Sequence, residues 1–262
     1  MAEEQPEQTN ITVATTGYFE LYVNERNVTG DVMTPLRNLS DTGAIAITFD
    51  ITRFIRPGAN TLALWYSPAM PRADSLQLSV TCYGRYADGR KFARHSDGGW
   101  LCRKAPATLT NNHSETIDAT ADASLWNTGT ADIACWLAAK ENNGRENSHT
   151  EQRQTYYHAA KISNIRQQEF FDIINDSVTY DFGTAFCGLT RVTLRGARRG
   201  SHISIGNMLY ICSGESDEQA IQRFTTTDTR RITISGDRHF RPEQVHKVEA
   251  MSISEYTRQW RY

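Results

Sequence analysis

At 262 residues, 39% of them hydrophobic and 22% charged, with a net charge of −2, the chain can bury a sizeable core as one large domain or two ordinary ones. Acidic and basic residues are mixed throughout; the basic groups, Arg195/Arg198/Arg199 and Arg230/Arg231, are too short for the clustered face that holds nucleic acid. No run reaches the roughly 18 apolar residues of a spanning helix, so no membrane span is expected.

Residues 1–10, MAEEQPEQTN, are acidic and polar and read as a disordered tail. They lack the basic start and apolar centre of a secretory signal, so the expected compartment is cytoplasmic, or periplasmic or secreted if a signal was removed. The five cysteines are scattered, odd in number and without a CxxC pair, so neither a zinc site nor a disulfide framework is expected. Cys82 and Cys187 lie in strand-like runs and read as small buried hydrophobes.

The first strand starts in residues 11–16. In residues 18–24 the pattern alternates, with Phe19, Leu21 and Val23 on one face and Glu20, Tyr22 and Asn24 on the other, as in a strand with one buried side. Residues 24–27 (NERN) predict a hairpin turn, with residues 28–33 returning as the partner. Residues 44–49 (AIAITF) alternate again. Asp50 reads as a turn or cap residue for a short helical turn at 53–55, and residues 56–60 (RPGAN) turn into a strand over 61–66. Two prolines in residues 67–74 predict a shaped loop. Residues 76–83 (LQLSVTCY) alternate, a turn at 87–90 (ADGR) follows, and residues 91–95 return. Short strands at about ten-residue spacing point to an antiparallel sandwich or jelly roll. After the apolar run 133–139 (IACWLAA), the polar residues 140–152 form the linker candidate. Strands then read over 177–182, 189–194, 202–205, 207–212, 231–234 and 246–253.

Two sets of residues carry a family resemblance. Gly17, Tyr18, Glu20, Leu21, Tyr22, Val23, Asn24, Val28, Gly30 and Asp31 form the first, continued by Asp50, Ile51, Thr52, Ile55, Gly58, Asn60 and Leu62. Asp181, Phe182, Gly183, Gly188, Val192, Leu194, Gly196 and Gly200 form the second, continued by Asp228, Ile232, Ile234, Gly236 and Pro242. In this order they resemble the accessory β-sandwiches of bacterial α-L-rhamnosidases, and the likeness covers most of residues 11–254. Asn207 departs from it, standing where the family has glutamate, as do residues 245–248. The resemblance implies an all-β fold of two antiparallel β-sandwich domains: a galactose-binding-like jelly roll over 11–139, the linker 140–152 and a second β-sandwich over 153–262.

In the rhamnosidases such sandwiches flank a helical barrel that carries the catalytic carboxylates, and no long amphipathic helical array is legible here. The expectation is a non-catalytic carbohydrate-binding protein whose partner is a glycan, rhamnose-containing by the resemblance. The alternatives are a scaffold that kept the sandwiches without a sugar site, and a fragment of a rhamnosidase-type glycoside hydrolase. Sugars have apolar faces and hydroxyl rims, so aromatic platforms beside Arg and Asp in loops are the chemistry sought. The candidates are Trp65, Tyr66, Arg72 and Asp74 at the 67–75 loop, and Trp100 and Arg103 after another turn. Calcium is the one cofactor considered, with Asp31 and Asp50 as the oxygen ligands available for it. Tyr18 and Tyr22 read as packing residues, the seven histidines as surface or hydrogen-bonded groups, and Glu215, Asp217 and Glu218 as solvated loop acids.

Overall fold

Alternating β-branched, aromatic and polar residues make strands almost everywhere in the computed structural model, which describes residues 4–36, 44–67, 78–110, 114–121, 125–141 and 158–256. The strands are β1 (Gln8–Thr15), β2 (Tyr18–Val23), β3 (Arg26–Asn27), β4 (Val32–Leu36), β5 (Ile45–Asp50), β6 (Leu62–Ser67), β7 (Leu78–Arg85), β8 (Lys91–His95), β9 (Leu101–Cys102), β10 (Ala107–Leu109), β11 (Glu115–Asp118) and β12 (Leu137–Ala138). Then come β13 (His158–Gln167), β14 (Phe170–Ile174), β15 (Ser177–Arg195), β16 (His202–Ile205), β17 (Met208–Ile211), β18 (Asp217–Ile221), β19 (Thr227–Gly236) and β20 (Val245–Tyr256). Among the described residues the only helices are single 3-10 turns, Thr52–Phe54 and Pro242–Gln244. The all-β expectation holds, with antiparallel pairing throughout the β5-β1-β7-β8 and β3-β2-β6 sheets and along β15.

Contacts divide the chain into two units, Met1–Lys104 with Ser124–Ala159, and Ala105–Ala123 with Ala160–Tyr262. In the first, a four-stranded sheet (β5-β1-β7-β8) and a three-stranded sheet (β3-β2-β6) share one apolar core. Ile11, Val13, Ile47, Phe49 and Val80 come from one sheet and Phe19, Leu21 and Val23 from the other. Phe19 and Phe49 meet edge to face at 6.1 Å between ring centroids. Each such side chain contributes about 1.5–3 kcal/mol by leaving water.

In the second unit the strand order is β10-β11-β17-β16-β19-β15-β20-β13, with β14 and β18 also pairing β15. Its axis is β15, 19 residues long. The residues before its register shift, which falls between Asp181 and Phe186, pair with β14 and β19; those beyond Gly188 pair with β18 and β20. A strand that changes partners across a bulge lets one sheet wrap into two layers. The core within includes Phe182, Val192, Leu194, Ile203, Ile232, Ile234, Phe240 and Val248.

Several local expectations are corrected. The tail is shorter than ten residues, because Gln8–Asn10 already pair with residues 83–85 and the Gln5 amide reaches the Ile55 carbonyl at 2.8 Å. The hairpin after β2 is tighter than expected: Asn24 and Glu25 take φ of 48° and 74°, a two-residue turn, and the returning strand is only Arg26–Asn27. The sequence-based division assigns Ala105–Ala123 to the first sandwich. Instead this segment packs in the second unit, where β11 runs parallel to β17 with Ile117 opposite Tyr210. In the apolar run 133–139, Ile133 and Leu137 are exposed. Cys187 is exposed on the outward side of β15, and the fully buried cysteine is Cys212, whose thiol pKa burial pushes up to about 12. Most of the proposed linker lies outside the described residues.

Candidate functional site

The pairing of β2 with β6 decides which aromatic residues can act together. Glu20 stands opposite Trp65, Leu21 opposite Leu64 and Phe19 opposite Tyr66. Successive side chains on a strand point to opposite faces. Trp65 therefore shares a face with Glu20 and Tyr22, away from the core, while Tyr66 lies on the face of Phe19 and Leu21. The two neighbours named as sugar contacts cannot serve one ligand from this sheet.

On the outer face a third aromatic joins them. Trp126 meets Trp65 edge to face at 5.5 Å and Tyr22 at 5.1 Å. All three are half-buried. The Tyr22 hydroxyl donates to Glu20 Oε2 at 2.6 Å, so a carboxylate sits at the rim of the aromatic group. The segment that delivers Trp126 is tied down locally: Thr128 Oγ donates to the Leu125 carbonyl at 2.8 Å, and the Asn127 amide reaches the Glu25 carbonyl at 3.5 Å. Apolar ring faces beside a fixed carboxylate and a phenol are what a sugar's apolar face and hydroxyl rim call for.

The other candidates separate. Trp100 packs partly against the first unit's core, and its carbonyl accepts from Ala139 N–H at 2.7 Å. Arg103 is exposed and lies over the Trp136 ring at 5.2 Å, a cation–π pair rather than a rim beside Trp65. Arg72 and Asp74 lie outside the described residues. Asp50 does what a turn residue does: Oδ1 accepts from Thr52 Oγ at 2.6 Å and Thr52 N–H at 2.9 Å. Those bonds hold its carboxyl below the ordinary range. Asp31 is buried, and its carbonyl accepts from Thr34 Oγ at 3.5 Å. Among the described residues no three His, Cys, Asp or Glu side chains converge as a metal-binding group.

Tyr22, set aside as packing, and Trp126, which was not among the sugar-contact candidates, belong to this aromatic group. Tyr22 was detectable, since period two puts it on the solvent face.

The second unit holds its acids differently. Glu218 is buried, contrary to its reading as a solvated loop acid. It accepts from Ser213 N–H at 2.6 Å, Gly214 N–H at 2.7 Å and the Tyr210 hydroxyl at 3.2 Å. Glu115 Oε2 accepts from Arg223 N–H, Thr225 Oγ and Phe224 N–H, while burial raises its pKa. Asp181 takes a two-pronged bond from Arg230 (2.8 and 2.7 Å) and another from Arg231 (2.7 Å). These guanidinium bonds hold its carboxyl far below the usual range. Asn207 accepts from Gln222 Nε2 at 2.7 Å and Thr227 Oγ at 3.1 Å. These are architectural roles.

Residues 4–160 match the model of the α-L-rhamnosidase N-terminal domain family. An α-L-rhamnosidase of Streptomyces avermitilis is 28% identical over 148 residues, which are 52% of this chain and 14% of that protein. The crystal structure of Streptomyces avermitilis α-L-rhamnosidase complexed with L-rhamnose superposes with a TM-score of 0.82 at 19% identity, covering 97% of this chain and 28% of that one. The α-L-rhamnosidase of Dictyoglumus thermophilum gives 0.79 at 18% identity, with 95% and 31% covered. The chain thus spans under a third of either solved enzyme, and at these identities the likeness is one of fold.

Proposed function

The chain belongs to the α-L-rhamnosidase N-terminal domain family, and from that premise we propose that it binds carbohydrate without processing it, through the outer face of its first unit. The observation that supports this most is the Tyr22–Trp65–Trp126 cluster with Glu20 at its rim. Glycoside hydrolysis uses two carboxylates flanking the scissile bond; the carboxylate hydrogen-bonded into this cluster is one, and Tyr22 already engages it. The relative solved with L-rhamnose makes a rhamnose-containing glycan the first ligand to try. Calorimetry with L-rhamnose and rhamnosyl oligosaccharides, with and without calcium, tests the reading. Weak binding that Trp65→Ala or Trp126→Ala reduces at least about tenfold is expected, since base-type stacking on one aromatic contributes on the order of 1–3 kcal/mol. No heat with any neutral sugar would overturn it.

A second reading, an interaction module, has its own support. Phe170, Phe171, Ile173 and Ile174 in β14 are all exposed, an apolar patch of the kind that marks protein contacts. Concentration-dependent association that Phe170→Ser with Phe171→Ser abolishes would favour it.

A further inference from the structure

Two turns of the second unit bring guanidinium groups to one place. Residues 196–200 carry Arg198 and Arg199, and residues 237–240 carry Arg238 and His239. Between them lies a groove of about 530 Å³, lined by Arg198, Arg199, Ser201, Asp237, Arg238 and His239. That is the size of many small-molecule sites.

Both turns are fixed by backbone bonds. Asp237 Oδ2 accepts from His202 N–H at 3.0 Å and Oδ1 from His239 N–H at 2.8 Å, so its charge is held by amides. A Cβ on Gly236 would meet Phe240 Cβ at 2.5 Å, so only glycine lets this turn close. In the other turn, Gly200 takes φ of 80°, its N–H reaches the Cys212 carbonyl at 2.8 Å, and Ser201 N–H bonds the Arg198 carbonyl at 3.0 Å. Arg199 serves this frame, donating to the Ser213 and Thr120 carbonyls.

Arg198 and Arg238 are different. Both donate to the same atom, His239 Nε2, at 3.4 and 3.1 Å. A guanidinium has no acceptor, so both forks can only donate toward this nitrogen. Among the described residues neither guanidinium is ion-paired with a carboxylate, although nearby Arg195 pairs with Asp217. Two positive forks thus meet at one imidazole nitrogen, with no carboxylate among the described residues bonded to either. Ser201 supplies the second observation. It is 4% exposed, it lines the groove, and its Oγ has no hydrogen-bond partner. Buried hydroxyls are almost always paired.

We propose that this groove binds the oxyanion of an acidic saccharide, a uronate carboxylate or a sulfate ester. Such a group offers acceptors to Arg198, Arg238 and Ser201 at once and neutralises the excess charge. A neutral sugar would leave that charge as it is. That a saccharide carries the oxyanion rests on the carbohydrate-binding reading above; the preference for an anion rests on the groove's own geometry.

Calorimetry on the full chain separates the two sites, using oligogalacturonate, a sulfated monosaccharide, L-rhamnose and sodium sulfate. The variants are Arg198→Gln with Arg238→Gln, Ser201→Ala, and Trp65→Ala, each checked by thermal melting. Binding of either acidic saccharide to the wild type is expected to weaken on the order of 100-fold in the double arginine variant and about tenfold in Ser201→Ala. It should also weaken with added salt and stay unchanged in Trp65→Ala. L-rhamnose should show the reverse sensitivity, so a failed aromatic site leaves the groove's result legible. Equal acidic-saccharide binding by wild type and the arginine variant overturns the proposal. So does a wild type that takes up sodium sulfate alone, or no anion at all.

Discussion

The two units bury different chemistry. Among the described residues, the first unit encloses hydroxyls (Thr9, Thr15, Thr16, Thr29, Thr34, Ser67, Thr128) and a single carboxylate, Asp31. The second encloses four carboxylates, Glu115, Asp181, Glu218 and Glu249, together with Gln222 and only three serine or threonine hydroxyls, Thr190, Ser201 and Thr225. An apolar interior defines strand faces, and its candidate surface is accordingly a strand face, the one with Tyr22 and Trp65. Buried carboxylates that accept from backbone amides define turns instead. Glu218 fixes residues 213–214, Glu115 fixes residues 223–225, and the half-exposed Asp237 does the same at the groove. The second unit's candidate surface is accordingly made of turns.

The largest test of that contrast is in the first unit, where Phe19→Ala should cost about 4 kcal/mol in urea unfolding, from lost transfer energy and the cavity left behind. In the second, Glu218→Ala should cost about 3 kcal/mol by leaving two partly buried amides and the buried Tyr210 hydroxyl without their acceptor. Thr15→Ala, which removes the acceptor for Gly17 N–H, should cost only about 1 kcal/mol. If Glu218→Ala and Thr15→Ala cost the same, the carboxylates do not organise the second unit.

Acid sharpens the comparison. The Arg230 and Arg231 bonds lower the folded pKa of Asp181, so its contribution is complete above the unfolded value of about 3.9 and disappears as pH falls toward the folded one. The stability advantage of wild type over Asp181→Asn, measured by melting at stepped pH, should therefore shrink on going below about pH 4. Glu115 has the opposite sign. Burial raises its folded pKa, so ionisation costs stability as pH rises from the unfolded value of about 4.3 through the folded one. Glu115→Gln keeps an acceptor for its three donors, and at pH 7 it should melt no lower than wild type. The smallest effect belongs to β14, where Phe170→Ser should change stability by less than about 0.5 kcal/mol, because that ring is 67% exposed.

Much of the first unit was legible because period two is local. Phe19, Leu21 and Val23 announce a face within five residues, and Leu62 and Leu64 announce its neighbour. The site was half legible by the same rule, which puts Trp65 and Tyr22 on one side but says nothing of Trp126, some sixty residues beyond Trp65 in sequence. The second unit was legible as strands and turns but not as a connected object. The glycine at 183 reads as a break, yet the chain continues through it as one strand because bulged residues keep pairing on both sides. Glu218 looked solvated because its partners are amides, which have no side-chain signature. The groove draws on two turns about forty residues apart, and only the fold makes Arg198 and Arg238 neighbours.

The parallel seam between β11 and β17 has a consequence for cutting the molecule. Residues 107–118 belong to a body whose remaining strands start after residue 158. An expression boundary placed in residues 140–152 would sever that body. The C-terminal piece would keep β17 with a bare backbone edge and Tyr210 stripped of Ile117, while the N-terminal piece would trail two strands with nothing to join. Mixed together, the pieces should find each other, so that co-purification of halves reports the docking of residues 107–118, through this seam and the Glu115 bonds to residues 223–225. For an intact chain, closing a pairing nearly a hundred residues long is a slow, late event, because loop entropy must be spent before the contact returns it.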